Sequence, residues 1–179
     1  VTQDLQRLDF NGRVLEFVHT PGHALHHHCI VDLAHASIFT GDTFGISYRE
    51  LDTASGPFII PTTTPTQFDP EQLVASIDRL LAYRPEAMYL MHYSPVTDVQ
   101  RLGELLKAQV RELAEMARRH AGAGERRQQA MAADMRAMWL RLLAEHGSRL
   151  SESQIDELLG NDLELNAQGL VAWVDRQKR

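Results

Sequence analysis

Only one cysteine stands among the 179 residues. An internal disulfide is therefore excluded, and the usage fits a reducing compartment, the cytoplasm. Cys29 lies in the apolar run Cys29-Ile30-Val31 and reads as a small core residue rather than a reactive thiol. No apolar run approaches the ~20 residues of a membrane-spanning helix. Residues 1–10 alternate in polarity and carry two acids and one base, unlike the hydrophobic stretch of a secretory leader. Basic charge is also short. Eighteen Lys and Arg against 24 Asp and Glu leave a net charge of −6, which favours solubility and offers no basic face to a nucleic acid. There is no internal repeat and no low-complexity tract. The length predicts one domain, or a core with an appendage.

Histidine is the residue in excess. There are nine, and seven fall between positions 19 and 92, a concentration that scattered surface use would not produce. The chain around them starts β-rich. Asn11-Gly12 is a two-residue turn between strands expected over 5–10 and 13–18. Further strands are expected over 28–33, 37–40 and 88–91. Residues 44–68 are rich in Gly, Pro and Thr and read as a long irregular segment of the kind that serves function or covers something. A helix should begin at Asp69, with Pro70 at its first position and Gln72 completing a capping box. Leu73, Val74, Ile77, Leu80 and Leu81 form its apolar stripe, and it should end before Pro85. This alternation of strands and helix indicates an α/β layer.

Beyond Thr97 the pattern is helical. Thr97 and Gln100 suggest a capping box for a helix carrying Leu102, Leu105, Leu106, Val110 and Leu113. A second helix over about 125–146, closed by Gly147, bears Met131, Met135, Met138 and Leu142 on one face. That face reads as core packing or a helix–helix contact, within the chain or across a dimer. A third helix should end at Gly160, and a fourth, weakened by Gly169, should cover 161–177. Arg118-Arg119-His120 and Arg126-Arg127 read as a solvated face.

Chemistry concentrates on His23, Asp42 and His92. Each sits at or just beyond a predicted strand end, where α/β folds present functional groups. Neutral imidazole and carboxylate oxygen together suit zinc, iron or manganese. Pro21-Gly22 would turn the chain sharply and aim His23 inward. Gly41 would let the backbone approach closely, and Asp42 could bridge two ions through its two oxygens. Taken singly, a strand-end histidine is more often structural, and an aspartate after glycine is commonly a turn or cap. Their combination in this order is what raises the odds.

The segments His19-Thr20-Pro21-Gly22-His23, Phe39-Thr40-Gly41-Asp42-Thr43 and Met91-His92-Tyr93 resemble the later motifs of the metallo-β-lactamase superfamily, the first especially that of glyoxalase II and related hydrolases. The resemblance covers about residues 10–95. It implies an α/β fold, part of an αββα sandwich followed by a helical C-terminal extension. It also implies one or two metal ions, zinc with iron or manganese as alternatives, and a metal-bound hydroxide that attacks a carbonyl or phosphoryl centre. By the same resemblance His23 completes the first metal site, Asp42 bridges both ions at the catalytic centre, and His92 belongs to the second. His19 is not a ligand in the family and supports the loop. His26, His27 and His28 depart from the usual continuation and either line the pocket or are hydrogen-bonded loop residues.

The superfamily's chief signature, His-x-His-x-Asp-His, does not occur in these residues. In the family it precedes everything seen here. The expectation is a C-terminal half of the domain over 1–120 and a helical extension over 121–179, inactive alone and partnered by the missing N-terminal half. A homodimer through the C-terminal helices is a further expectation. The implied function is a metal-dependent hydrolase of a small-molecule ester, thioester, lactone or related substrate, with no nucleic-acid or membrane partner. Alternatives are an iron-dependent oxygenase of the persulfide-dioxygenase type, and a non-catalytic helical interaction module on a degenerate sandwich.

Overall fold

Asn11 and Gly12 both take positive φ, 53° and 85°, as the tight turn of a hairpin demands. They join β1 (Gln6–Phe10) to β2 (Arg13–His19). β3 (His28–Asp32) and β4 (Ser37–Gly41) follow as further antiparallel neighbours. β5 (Ala87–Leu90) pairs with β4 in parallel, and β6 (Pro95–Val96) closes the sheet antiparallel to β5. The six strands therefore lie in the order of the chain. The structure, a computed structural model, describes residues 3–63, 67–93 and 95–178. β6 was not anticipated from the sequence, because two residues carry no periodicity.

Only a parallel pair needs its connection to leave the sheet and return. That crossover contains the irregular segment and α1 (Pro70–Leu81). Asp69 caps α1 by accepting the Gln72 backbone N–H at 2.9 Å. The Gln72 side chain answers to the Asp69 carboxylate instead of its backbone, so the expected capping box is only half made. α2 (Val99–His120) starts after Asp98, which sits in the left-handed region without a side-chain cap. The Thr97 capping box is thus corrected.

Val18, Cys29, Val31, Ile38, Met88 and Leu90 project from one face of the sheet into a core shared with α1 and α2. The segment read as a covering loop contributes Phe44, Leu51, Phe58, Ile59 and Ile60, all buried. Its apolar residues have no regular period, which hid their burial from a pattern reading. On the opposite face, cross-strand partners Gln6, Phe17, Ile30, Phe39, Tyr89 and Pro95 form one row across all six strands. Phe39 and Tyr89 stack at 5.0 Å and remain 41% exposed each.

α3 (Arg127–His146) ends at Gly147 in the left-handed conformation, as its spacing suggested. Met131, Met135 and Met138 are buried within the chain, where α3 packs on α2 and α4. α4 (Glu152–Gln177) is one helix of 26 residues, not two. Gly160 does not break it. A side chain added there would meet nothing, so its cost is the ~1 kcal/mol of glycine in a helix. The buried stripe of Ile155, Leu159, Leu170 and Trp173 outweighs that. Of the cations expected on a solvated face, Arg118 and Arg119 keep 49% and 61% of their side chains exposed, Arg118 also lying over the Trp173 ring, while Arg127 is half-buried and forks onto Asp175. Among the described residues no helix is long and apolar enough to cross a membrane.

Candidate metal centre

The hairpin and crossover deliver three strand ends to one edge of the sheet. β2 ends at His19, and the turn after it carries His23. Gly22 takes a φ of 131° there, and a Cβ on it would meet the Leu73 backbone at 2.2 Å. Only glycine allows α1 to approach this turn so closely. β4 ends at Gly41 with a shift of register between Phe39 and Gly41, an irregularity that re-aims the following residue, Asp42. β5 ends just before His92, and Tyr93 beyond it is held at a φ of 66°. Non-glycine residues in that region store strain and cluster at functional sites.

The structure brings His23, Asp42 and His92 together. His23 Nε2 lies 3.6 Å from Asp42 Oδ2, and His92 Nε2 lies 3.5 Å from Asp42 Oδ1. Each imidazole thus faces its own carboxylate oxygen. These separations are too long for hydrogen bonds. Two donors bound ~2.1 Å from one tetrahedral ion lie about 3.4 Å apart, close to what is observed. The donor chemistry and spacing therefore fit a carboxylate that bridges two ions with one histidine on each side. Two donors per ion are not a complete shell, and among the described residues no group of three or more His, Cys, Asp or Glu side chains is arranged to hold a metal ion.

The orientation of His23 follows from its neighbours. Thr62 Oγ1 donates to the Asp42 backbone carbonyl at 3.1 Å, so it accepts from His23 Nδ1–H, also at 3.1 Å. With the hydrogen on Nδ1, the Nε2 lone pair turns towards Asp42, the tautomer a metal ligand requires. His92 is more open, with half of its side chain exposed.

His27 settles between its two readings as a hydrogen-bonded loop residue. Its Nε2 accepts the Asp42 backbone N–H at 3.2 Å. Nδ1–H then faces the hydroxyls of Thr43 and Thr20, at 2.9 and 3.0 Å. A Cβ on Gly41 would come within 2.6 Å of this ring, which explains the glycine before Asp42. Burial, helped by the neighbouring His23, pushes the His27 pKa down to about 4, so the ring is neutral at ordinary pH. His19 supports the same loop through Nε2 to the Leu25 carbonyl at 2.8 Å. Cys29 is fully buried, and burial pushes its thiol up to about 11.

The sequence model of the metallo-β-lactamase superfamily matches residues 1–92. The chain belongs to that superfamily. The six-stranded sheet and four α-helices of its described residues also align with solved structures of superfamily proteins. A metallo-β-lactamase family protein from Thermus thermophilus aligns with a TM-score of 0.61 and 15% identity, over 99% of this chain and 49% of the other. The stereoselective inverting sec-alkylsulfatase Pisa1 from Pseudomonas sp. aligns with a TM-score of 0.54 and 18% identity, over 96% of this chain and 25% of the other. At such identities the likeness shows the fold alone. The chain spans about half the length of the first superfamily protein and a quarter of the second. No curated protein sequence matches it.

Several residues of the site escaped the sequence reading. Thr62 lay in a segment without period. Tyr48 packs its ring at a tilt against Tyr93, centroids 4.5 Å apart, and donates its hydroxyl hydrogen to Asp162 of α4 at 2.8 Å. Burial raises the Asp162 pKa, and the Tyr48 hydrogen bond offsets part of the rise. One signal was available: Asp162 and Asn166 are polar residues in register with the apolar stripe of a helix. Beside Tyr93, a cleft of about 450 Å³ is bordered by Tyr48, Glu50, Leu150, Glu157 and Leu158.

Proposed function

We propose that this chain is the metal-bridging half of a metal-dependent hydrolase acting on a small ester, thioester, lactone or related substrate. The observation that carries the reading is the Asp42 carboxylate, each of whose oxygens faces an imidazole at the donor spacing of a tetrahedral ion. Zinc suits that donor set best, with iron or manganese as alternatives. His23 and Asp42 would hold one ion, and Asp42 and His92 the other. Bound there, the metal supplies Lewis acidity and activates water.

The chain's own residues do the positioning. Thr62 orients His23, and His27 with Thr62 fixes both peptide groups of Asp42. The ligands absent from these residues are proposed to come from the N-terminal half of the same protein. The row Phe17, Ile30, Phe39 and Tyr89 supports this, because an apolar sheet face of that width calls for a covering layer. The cleft lined by Tyr48 and Tyr93 would offer room for a small substrate, Tyr93 being the chain neighbour of His92.

Calorimetric titration with zinc tests the reading. The wild-type chain is expected to bind, and Asp42→Ala to lose binding. Turnover of thioester, lactone and sulfate-ester panels is expected only when the N-terminal half is supplied. Unchanged zinc affinity in Asp42→Ala would refute the proposal.

A further inference from the structure

α4 reaches the candidate metal centre through two buried polar residues one turn apart. Asp162 and Asn166 are 9% and 3% exposed. Burying polar side chains in the stripe of a helix costs free energy unless they are bonded, and here they are. Asn166 Oδ1 accepts the Thr63 backbone N–H at 2.8 Å, the Asn166 carbonyl accepts the Thr63 hydroxyl at 3.0 Å, and Asn166 Nδ2 donates to the Asp162 carbonyl at 2.8 Å. Gly169, on the same helix, makes the approach possible. A Cβ there would meet Thr63 Oγ1 at 2.5 Å and the Thr63 carbonyl at 2.7 Å. Thr63 is thus gripped by backbone and side chain alike. Its neighbour Thr62 holds His23 Nδ1 and the Asp42 carbonyl through one hydroxyl.

We infer that Asn166 is a positioning residue for the candidate metal centre, acting through Thr63 and Thr62 to set the tautomer of His23 and the seat of Asp42. The helical extension is then part of the site's machinery and not an appendage to it. This rests on the metal-site reading above but differs in what it demands. It requires that an amide on α4 control the ring of His23, whether or not metal is bound. Asp162 does the parallel service for the other side, since its bond to Tyr48 fixes the ring that packs against Tyr93, next to His92.

The test reads His23 in the metal-free 179-residue chain. Long-range proton–nitrogen NMR spectra at mildly alkaline pH show which ring nitrogen carries hydrogen. The wild type is expected to show the Nδ1–H form alone. Asn166→Ala is expected to mix the two tautomers and to speed hydrogen exchange at the Asp42 amide. Asn166→Asp keeps an oxygen for the Thr63 N–H and should restore the wild-type ring. Thr63→Val removes one of the two bonds, and as the gentler change it should shift the ring in the same direction if Asn166→Ala does not fold. Leu159→Ala separates positioning from stability. It opens a cavity under the same helix and lowers the melting temperature, yet should leave His23 unmoved. An unaltered ring in both Asn166→Ala and Thr63→Val, or an equal change in Leu159→Ala, overturns the inference. Zinc titration adds a second readout, with Asn166→Ala expected to bind about 10–100-fold more weakly than wild type, the usual effect of losing a group that orients a ligand. Failure of the wild-type chain to bind zinc would count against the proposed function, while the ring spectra would still decide on Asn166.

Discussion

Acidification should weaken this chain through His27, by an amount that can be worked out. In the folded state burial, then the neighbouring His23, pull the His27 pKa from 6.5 down to about 4. The unfolded chain therefore binds the proton more readily than the folded one. The stability this contributes is complete above about 6.5 and is lost as pH falls towards 4. Between about pH 7 and about pH 5 the unfolded histidine takes up its proton and the folded one does not, a difference of about 2 kcal/mol at face value. His27 keeps part of its surface in water, and screening reduces the expected loss to about 1 kcal/mol. Urea unfolding at the two pH values measures it. His27→Gln is the reference, since its amide can accept from the Asp42 N–H and donate to the threonine hydroxyls but cannot titrate. Other groups titrate in this range in both proteins and cancel in the comparison. Wild type should lose about 1 kcal/mol more than His27→Gln. Parallel pH dependence in the two would refute both the neutral state of the ring and its role under Asp42.

Three further outcomes follow from packing. Gly22→Ala forces a Cβ against the Leu73 backbone at a φ of 131°, and should cost about 2–4 kcal/mol in urea unfolding; a loss below half of that would mean the turn yields easily. Trp139→Phe strips Gln109 Oε1 of its indole N–H, 3.1 Å away, and should cost about 1–3 kcal/mol, read from the same assay. Cys29, fully buried with its thiol pushed up to about 11, should stay inert to a thiol reagent at neutral pH until the chain unfolds; prompt labelling of native protein would contradict its burial.

The parts of the fold that could be read from the sequence are those with local signals. Asn11-Gly12 specified a hairpin and Asp69-Pro70 a helix start. His23, Asp42 and His92 were legible as a group because each follows a short apolar strand. What failed depended on distant contacts. Gly160 looked like a break because propensity ignores the buried stripe on either side. Gly169 looked like a weakness, while its lack of a side chain serves Thr63. Thr97 looked like a cap, but the chain turns at Asp98 instead. Thr62, Asn166 and Tyr48 act on the site through partners far along the chain, and no window of sequence contains both ends of such a bond.

The parallel pairing of β4 with β5 has a consequence for the order in which this molecule is made. His23 and Asp42 lie just beyond the ends of β2 and β4, strands of one antiparallel run, and can meet as soon as β4 has emerged from the ribosome. His92 must wait while the chain leaves the sheet, winds α1 and returns, since Gly41 pairs with Leu90 and loop closure of that kind is slow. Asn166 is synthesised later still. A nascent chain therefore carries its first imidazole and its carboxylate long before the second imidazole and Asn166 on α4, so any metal held as proposed above would be loaded only after translation has passed α4.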